Sequence, residues 1–458
     1  MNRLPIEFLK SLQHTNGFDH NAFVEVHESG EQVTSVRLHP LKGAVDNDLF
    51  SISAPVPWTC WGYYLHKRPS FTFDPLFHAG CYYVQEASSM FLEQAFAQLT
   101  DTTRPLKILD LCGAPGGKST HIQSLMSDES VLVSNEVIRN RSLVLTDNII
   151  KWGTTNVIVS NNDPSVFGKL QGYFDAITVD APCSGSGLFR RDETAIEEWS
   201  LNNVQLCCQR QKRILADVLP ALKEDGLLIY STCSYSMEED EDIADWLIDE
   251  MEMENLSLSI PDSWNIIKSL SEKGAEGYRF YPDKVRGEGF FMCCFRKKNH
   301  AAQQKLKPYK AEKVSTEEKR IIAEWIRPDQ LEIISYKDQF VALTPLALQV
   351  FLDLKNVVNL QYMGVALGKI MKNRLVPEHA LALSSVYSEN ILSNELSYDD
   401  AIKYLQKKDV DFNISDKGWQ FVQYKGYNLG WINVLSNRVN NYYPKELRIL
   451  KQSNDAVF

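Results

Sequence analysis

Lys107-Ile-Leu-Asp-Leu-Cys-Gly-Ala-Pro-Gly-Gly-Lys118 decides how this chain folds. A short apolar run ends in an acid, turns through glycines and opens a helical stretch, Pro115 to Met126. Glycines let a backbone come close to a ligand, and a helix start offers free N–H groups. The loop is neither Gly-x-Gly-x-x-Gly nor a phosphate loop of the Gly-x4-Gly-Lys-Ser/Thr form. Downstream, strand-like runs at 131–134, 156–160, 174–179 and 227–230 alternate with helical stretches near 140–152, 203–222 and after 242. Gly277 to Pro282 and Gly289 to Phe295 read as a terminal hairpin. Alternation of this kind gives an α/β class with a doubly wound, mostly parallel sheet. Ligands in such sheets bind at the carboxyl ends of the strands.

The bulk numbers bound the rest. A chain of 458 residues with 44% hydrophobic residues makes two or three domains and a large core. The net charge of -11 is not the footprint of a nucleic-acid binder, so an RNA site must be a local basic patch. The acidic run Glu238-Glu-Asp-Glu-Asp242 reads as a solvated helix face. The nine cysteines form no Cys-x-x-Cys pair, which argues against structural zinc, and no metal is expected. No apolar run spans a bilayer and the start lacks a signal-peptide core, so a cytoplasmic protein with free thiols and no membrane partner is expected.

Acids follow the first three strands. Glu136 is placed to hold two ribose hydroxyls, and Asp163 to hold an adenine amine. Together with the loop Cys112, Gly113, Ala114, Pro115, Gly116, Gly117 and Lys118, they suit a nucleoside with no phosphate, which favours S-adenosylmethionine over NAD or ATP. Two cysteines lie in Pro/Ser/Gly-rich loops at the ligand edge: Cys183 in Asp180-Ala-Pro-Cys-Ser-Gly-Ser-Gly187, and Cys233 in Tyr230-Ser-Thr-Cys-Ser-Tyr235. A thiolate adding to carbon 6 of cytosine makes carbon 5 enamine-like, so that it can take a methyl group. Asp180 is placed to hydrogen-bond the cytosine edge. Cys60, Cys81, Cys207, Cys208, Cys293 and Cys294 read as small core residues, and His379 as a packing residue.

On these motifs the chain resembles the Nol1/Nop2/Sun family of RNA cytosine-5 methyltransferases, over about residues 30–298. Weaker matches are Ser35-Val-Arg-Leu-His-Pro-Leu-Lys42 and Tyr83-Val-Gln-Glu-Ala-Ser-Ser-Met90. His39 replaces the family's usual Asn, and Glu193 a frequent Pro. The resemblance implies a Rossmann-like catalytic domain dependent on S-adenosylmethionine. It implies Cys233 as nucleophile and Cys183 as the residue needed for product release. It also implies Cys112 to Lys118, Glu136, Asp163 and Asp180 as the cofactor site, with Lys118 reaching the base.

Four regions are expected: an N-terminal RNA-binding region (1–75), the catalytic domain (76–298), a basic linker (299–314) and a separate α+β, PUA-like RNA-binding region (315–458). Gly364 to Lys369, Pro377 to Leu383, Leu429 to Trp431 and Asn441 to Arg448 resemble the tail of the bacterial small-subunit rRNA methyltransferase F type. That tail includes a PUA-like module. Lys297, Lys298, Arg438, Lys445 and Arg448 are the expected phosphate contacts, with Tyr442 and Tyr443 as stacking surfaces. The expected partner is rRNA or the small ribosomal subunit, engaged by a monomer. A tRNA-directed enzyme, a non-catalytic assembly factor on the same fold and a DNA methyltransferase are the alternatives.

Overall fold

The structure, a computed structural model, describes residues 4–43, 50–300, 305–327, 330–412 and 416–451. Positions 301–304 of the expected linker lie outside the described residues.

Five short segments form the parallel heart of the fold: β1 (Lys107–Asp110), β2 (Val131–Asn135), β3 (Val157–Ser160), β4 (Phe174–Asp180) and β5 (Leu222–Thr232). Their order is β3-β2-β1-β4-β5, each parallel to its neighbour. The helices are α1 (Gly117–Leu125), α2 (Arg139–Trp152), α3 (Leu201–Val218) and α4 (Glu241–Asp249). The strands alternate faces. Leu109, Val133, Ile158 and Ile177 pack with Ile214, Leu215 and Val218 of α3. Ile108, Leu132, Val159 and Ile229 pack with Ile122 of α1 and Leu145 and Ile149 of α2. Each such side chain, fully buried, contributes about 1.5–3 kcal/mol. The chain steps outward from β1 to β3, then returns on the other side of β1 as β4. A crevice therefore opens at the carboxyl ends of β1 and β4.

Beyond β5 run β6 (Met253–Leu256), β7 (Ile267–Leu270), β8 (Glu276–Phe280) and β9 (Phe290–Lys297). β8 and β9 form the expected hairpin, with β9 antiparallel to β5. The short edge strands β6 and β7 have no clear pattern in the sequence.

The region after 314 is not separate from the catalytic sheet, contrary to expectation. β10 (Leu360–Met363) pairs antiparallel with β3. Helix Pro345–Leu354 also sends Val350, Phe351 and Leu354 into the core of β1 to β5. The physical reason is the edge of β3, whose residues are buried along the whole strand. Left uncovered, it would expose a row of unpaired backbone groups. Asn359 seals the junction: its N–H donates to Asn162 Oδ1 (3.0 Å), and its carbonyl accepts from Asn161 N (3.1 Å).

Two further four-stranded sheets follow, one over Glu332–Pro377 and one over Ser393–Asn441. The N-terminal sheet reaches Val84, past the expected boundary at 75. It is locked to α1 by Arg37, which is fully buried. Arg37 donates to Gln85 Oε1 (2.9 Å) and Thr120 Oγ1 (2.6 Å), and lies 4.6 Å from the Trp152 ring centroid. His39 does the turn-making work of an Asn. Its Nδ1 accepts from the N–H groups of Leu41 and Lys42, and its Nε2 faces the Trp152 carbonyl at 3.1 Å. Burial holds the ring neutral, with a pKa of about 3. Among the described residues no helix is long and apolar enough to cross a membrane.

Candidate active site

The loop after β1 is pinned by its backbone. Gly113 N donates to Asn135 O (2.7 Å), the Ala114 carbonyl accepts from Arg141 (2.9 Å) and the Pro115 carbonyl from Asn148 (2.8 Å). A Cβ on Gly113 would lie 2.3 Å from Ser134 Oγ, so only glycine fits there. Gly116, at φ 117, starts α1 from a conformation that side chains rarely adopt, and Gly117 and Lys118 form its first turn. Cys112 is partly buried, and burial raises its thiol pKa.

Four carboxylates surround this loop. Asp110 is fully buried. Its Oδ2 accepts from Ser119 Oγ (2.6 Å), while Oδ1 has no partner among the described residues. Burial pushes its pKa up to about 6. Glu136, 2% exposed, accepts from Ile138 N (2.9 Å) and lies 3.4 Å from Arg141. Asp163 caps the turn after β3, accepting from Ser165 N (3.1 Å) and Ser165 Oγ (2.7 Å), and stands 3.9 Å from Arg213. Asp180 Oδ1 accepts from Ser231 Oγ (2.9 Å), and Oδ2 pairs with Lys118 Nζ at 2.8 Å. Burial alone would lower the Lys118 pKa, but the ion pair with Asp180 outweighs it and holds the ammonium above its ordinary value.

The two cysteines meet. Cys183, three residues after β4, and Cys233, just after β5, place their sulfurs 3.1 Å apart. The hydrogen bond to Cys233 raises the Cys183 thiol well above its ordinary pKa, with burial and the charge of Glu239 adding to it. The loops lie so close because they carry no bulk where they touch. Gly187 N donates to the Cys233 carbonyl at 2.8 Å, and a Cβ there would meet that oxygen at 2.7 Å.

Glu239 was missed in the sequence. The run 238–242 is not a solvated face: Glu239 and Asp240 are fully buried and Glu241 is 4% exposed. Glu239 accepts from Ser184 N (2.7 Å), Ser184 Oγ (2.5 Å) and Ser234 Oγ (2.6 Å), the residues next to the two cysteines. Burial raises its pKa, partly offset by these bonds. Asp240 and Glu241 instead clamp the fully buried Arg279 of β8, with Asp240 Oδ2 at 3.0 Å and a two-pronged contact to Glu241. A third arm of Arg279 donates to the Tyr235 carbonyl (3.0 Å), so the clamp braces the Cys233 loop from behind. The legible signal was the serine beside each cysteine, whose donors need a buried acceptor.

The other expected residues divide. Cys81, Cys207, Cys208, Cys293 and Cys294 are buried, but Cys60 is exposed, because its turn lies at the surface above Glu93. Lys297 is spent on the carbonyls of Leu219 and Leu222, both at 2.9 Å, and Lys298 pairs with Glu254 at 2.8 Å. Neither is left free to form a basic patch. Arg448 donates to the Lys445 carbonyl (2.7 Å), while the Arg438 and Lys445 side chains are exposed. Tyr442 is exposed against Trp419, but Tyr443 is buried beside Tyr404 and His379 and offers no stacking face. Among the described residues, no group of three or more His, Cys, Asp or Glu is placed to hold a metal.

The chain matches known protein families. The family model for the 16S rRNA methyltransferase RsmB/F matches residues 98–296. The N-terminal domain of 16S rRNA methyltransferase RsmF matches 4–87, and the methyltransferase RsmF PUA domain matches 392–449. The ribosomal RNA small subunit methyltransferase F of Vibrio vulnificus is 32% identical, over 90% of each chain. The chain belongs to the RsmB/F methyltransferase family. The Aeromonas hydrophila relative of the same name is 31% identical, covering 90% of this chain and 87% of its own. A methyltransferase homolog protein from Pyrococcus horikoshii covers 64% of this chain and all of its own, at 30% identity and a TM-score of 0.53. NSun6 from the same organism, solved with SFG, aligns over 65% of this chain at 19% identity and a TM-score of 0.54. RsmB/F enzymes depend on S-adenosylmethionine and methylate carbon 5 of cytosine.

Proposed function

We propose that this chain methylates carbon 5 of an unpaired cytosine in 16S rRNA through a covalent adduct on Cys233. The observation that carries the reading is the 3.1 Å approach of the Cys183 and Cys233 sulfurs at the carboxyl ends of β4 and β5, beside the Lys118–Asp180 pair. The names of the relatives support the substrate.

The residues of the crevice fit S-adenosylmethionine. Asp110 offers a buried oxygen with no donor, Glu136 suits a ribose diol, and Asp163 suits an adenine amine. The cluster is anionic, which suits a cationic ligand and repels phosphate. Bound there, S-adenosylmethionine supplies an electrophilic methyl carbon.

Asp180 hydrogen-bonds the cytosine edge, and the 2.8 Å contact with Lys118 holds Asp180 in place. Cys183, kept protonated, holds its S–H against the Cys233 sulfur. The Cys233 thiolate adds to carbon 6, and the electron pair this pushes to carbon 5 takes up the methyl group. The carbon-5 proton then leaves as the C6–Sγ bond breaks. Cys183, already hydrogen-bonded to the departing sulfur, protonates it, and the proton lost from carbon 5 restores the sulfur pair through solvent. Carbon 6 is inaccessible in a stacked helix, so the target must be captured unstacked. A monomer acting on the small subunit in a reducing cytoplasm is the setting this reading expects.

Bisulfite mapping of total RNA from cells with and without the gene tests the reading. One 5-methylcytosine of 16S rRNA should vanish. An unchanged map in every RNA would sink it.

A further inference from the structure

The net charge of -11 poses a problem for an enzyme of RNA, and the basic residues at the end of the catalytic domain do not solve it, because Lys297 and Lys298 are tied to the protein. A different surface does. An open groove of about 1330 Å³ runs between helix Thr316–Ala323, the hairpin tip after Val365–Met371, and the sheet built on Gly418–Tyr424. Arg320, Lys372, Arg374 and Lys417 line it, and all four are exposed. Among the described residues none of them pairs with an acid, and Glu324 is the one acid on the lining.

The same lining also carries exposed apolar side chains. Met371 is 60% exposed, Leu392 52%, Leu435 38% and Tyr442 44%, which gathers four of the chain's exposed large hydrophobic side chains in one place. Trp419 stands edge-on to Tyr442 with ring centroids 4.3 Å apart. Two of the cations are also preset. Met371 pairs with Arg374, and Lys372 and Asn373 between them both have positive φ, the signature of a tight two-residue hairpin turn. The turn fixes Lys372 and Arg374 at a rigid tip.

We propose that this groove, between the 316–377 module and the PUA-like module, is the main docking site for a single-stranded or looped segment of the substrate RNA. Phosphates would lie on the four cations, and bases would stack on Tyr442, Trp419 and the apolar side chains beside them. The proposal deepens the reading of the chain as an RNA methyltransferase and rests on it. A protein partner would use the apolar side chains but would leave four unpaired cations without a purpose. An unstacked RNA uses both.

Fluorescence anisotropy over a salt series tests the groove in the full chain. The probes are two naked RNAs, in vitro-transcribed 16S rRNA and a short single-stranded oligonucleotide, with the assembled small subunit as a third ligand. Arg320→Gln/Lys372→Gln/Arg374→Gln/Lys417→Gln should bind both at least tenfold more weakly, with the slope of log K against log salt reduced by about 3. Tyr442→Ala should cost about tenfold with the slope unchanged. The charge-retaining Arg320→Lys/Arg374→Lys should keep the wild-type slope, and S-adenosylmethionine affinity should be unaltered in all three. A quadruple variant that binds both RNAs like wild type overturns the groove and leaves the enzymatic reading intact. So does a variant that loses only the assembled small subunit and not the naked RNA, which would give the groove to a ribosomal protein. A wild type that binds neither RNA and methylates none sinks the enzymatic reading itself.

Discussion

The sulfurs of Cys183 and Cys233 lie 3.1 Å apart although their loops leave different strands, and the hydrogen bond between them keeps Cys183 protonated. The pair is therefore unequal before any substrate arrives. Cys233→Ala should abolish denaturant-stable capture of 16S rRNA. Cys183→Ala should let that adduct accumulate, read as a slow band on denaturing gels. The reverse pattern would mean that the roles are exchanged.

Glu239 holds the serine beside each cysteine. Glu239→Gln retains the shape but offers fewer acceptors to four donors, two from Ser184 and one each from Ser234 and Gln211. It should cost about 1–3 kcal/mol of stability in urea unfolding. By letting the sulfurs drift, it should also lower kcat about 100-fold. S-adenosylmethionine affinity, measured by calorimetry, should stay at the wild-type value, since the cofactor loop is pinned separately by Asn135, Arg141 and Asn148.

Arg279 is the shared partner of Asp240 and Glu241. Arg279→Met strands two buried acids and should destabilise the protein by about 3–5 kcal/mol at neutral pH. Lowering the pH should recover part of that loss, because the stranded carboxyls can then take up protons. A chemical unfolding series across pH would show a flat profile if the clamp were unimportant.

The parallel strands, the glycine-rich turn after β1 and the meeting place of both cysteines were legible in the sequence because each is a local pattern: an apolar run, a glycine turn, a polar loop at a strand end. What was hidden depends on pairing at a distance. Nothing in Glu238-Glu-Asp-Glu-Asp242 says that Arg279 waits across the sheet, so the run reads as surface although its three middle acids are core. Leu360–Met363 is too short and too ordinary to announce that its partner is β3, some 200 residues earlier. Lys297 and Lys298 look free in a basic stretch, yet nearby carbonyls and acids absorb them.

Asp110 gives the unliganded protein a pH signature. Its folded pKa is raised from 3.8 to about 6, so the folded state favours the protonated form. That preference is fully present below about pH 4 and is lost as the pH climbs through about 6, a swing of about 3 kcal/mol. The stability difference between wild type and Asp110→Asn should therefore grow against the wild type between these values. Cofactor affinity should run the other way, rising through pH 6 in the wild type as the carboxylate ionises, with no such rise in Asp110→Asn.

The strand that closes the catalytic sheet is made late. β3 ends at Ser160, while β10 begins at Leu360, so about 200 residues must be translated before that edge finds its cover. During synthesis the methyltransferase sheet stands open along β3, in the state that most invites wrong pairing. The cations of the proposed RNA groove, Arg320 apart, come later still in the chain, from Lys372 to Lys417. A nascent chain therefore cannot close its catalytic sheet before residues 360–363 exist, and a chain cut short after the catalytic motifs would be a folding hazard, not a smaller catalyst.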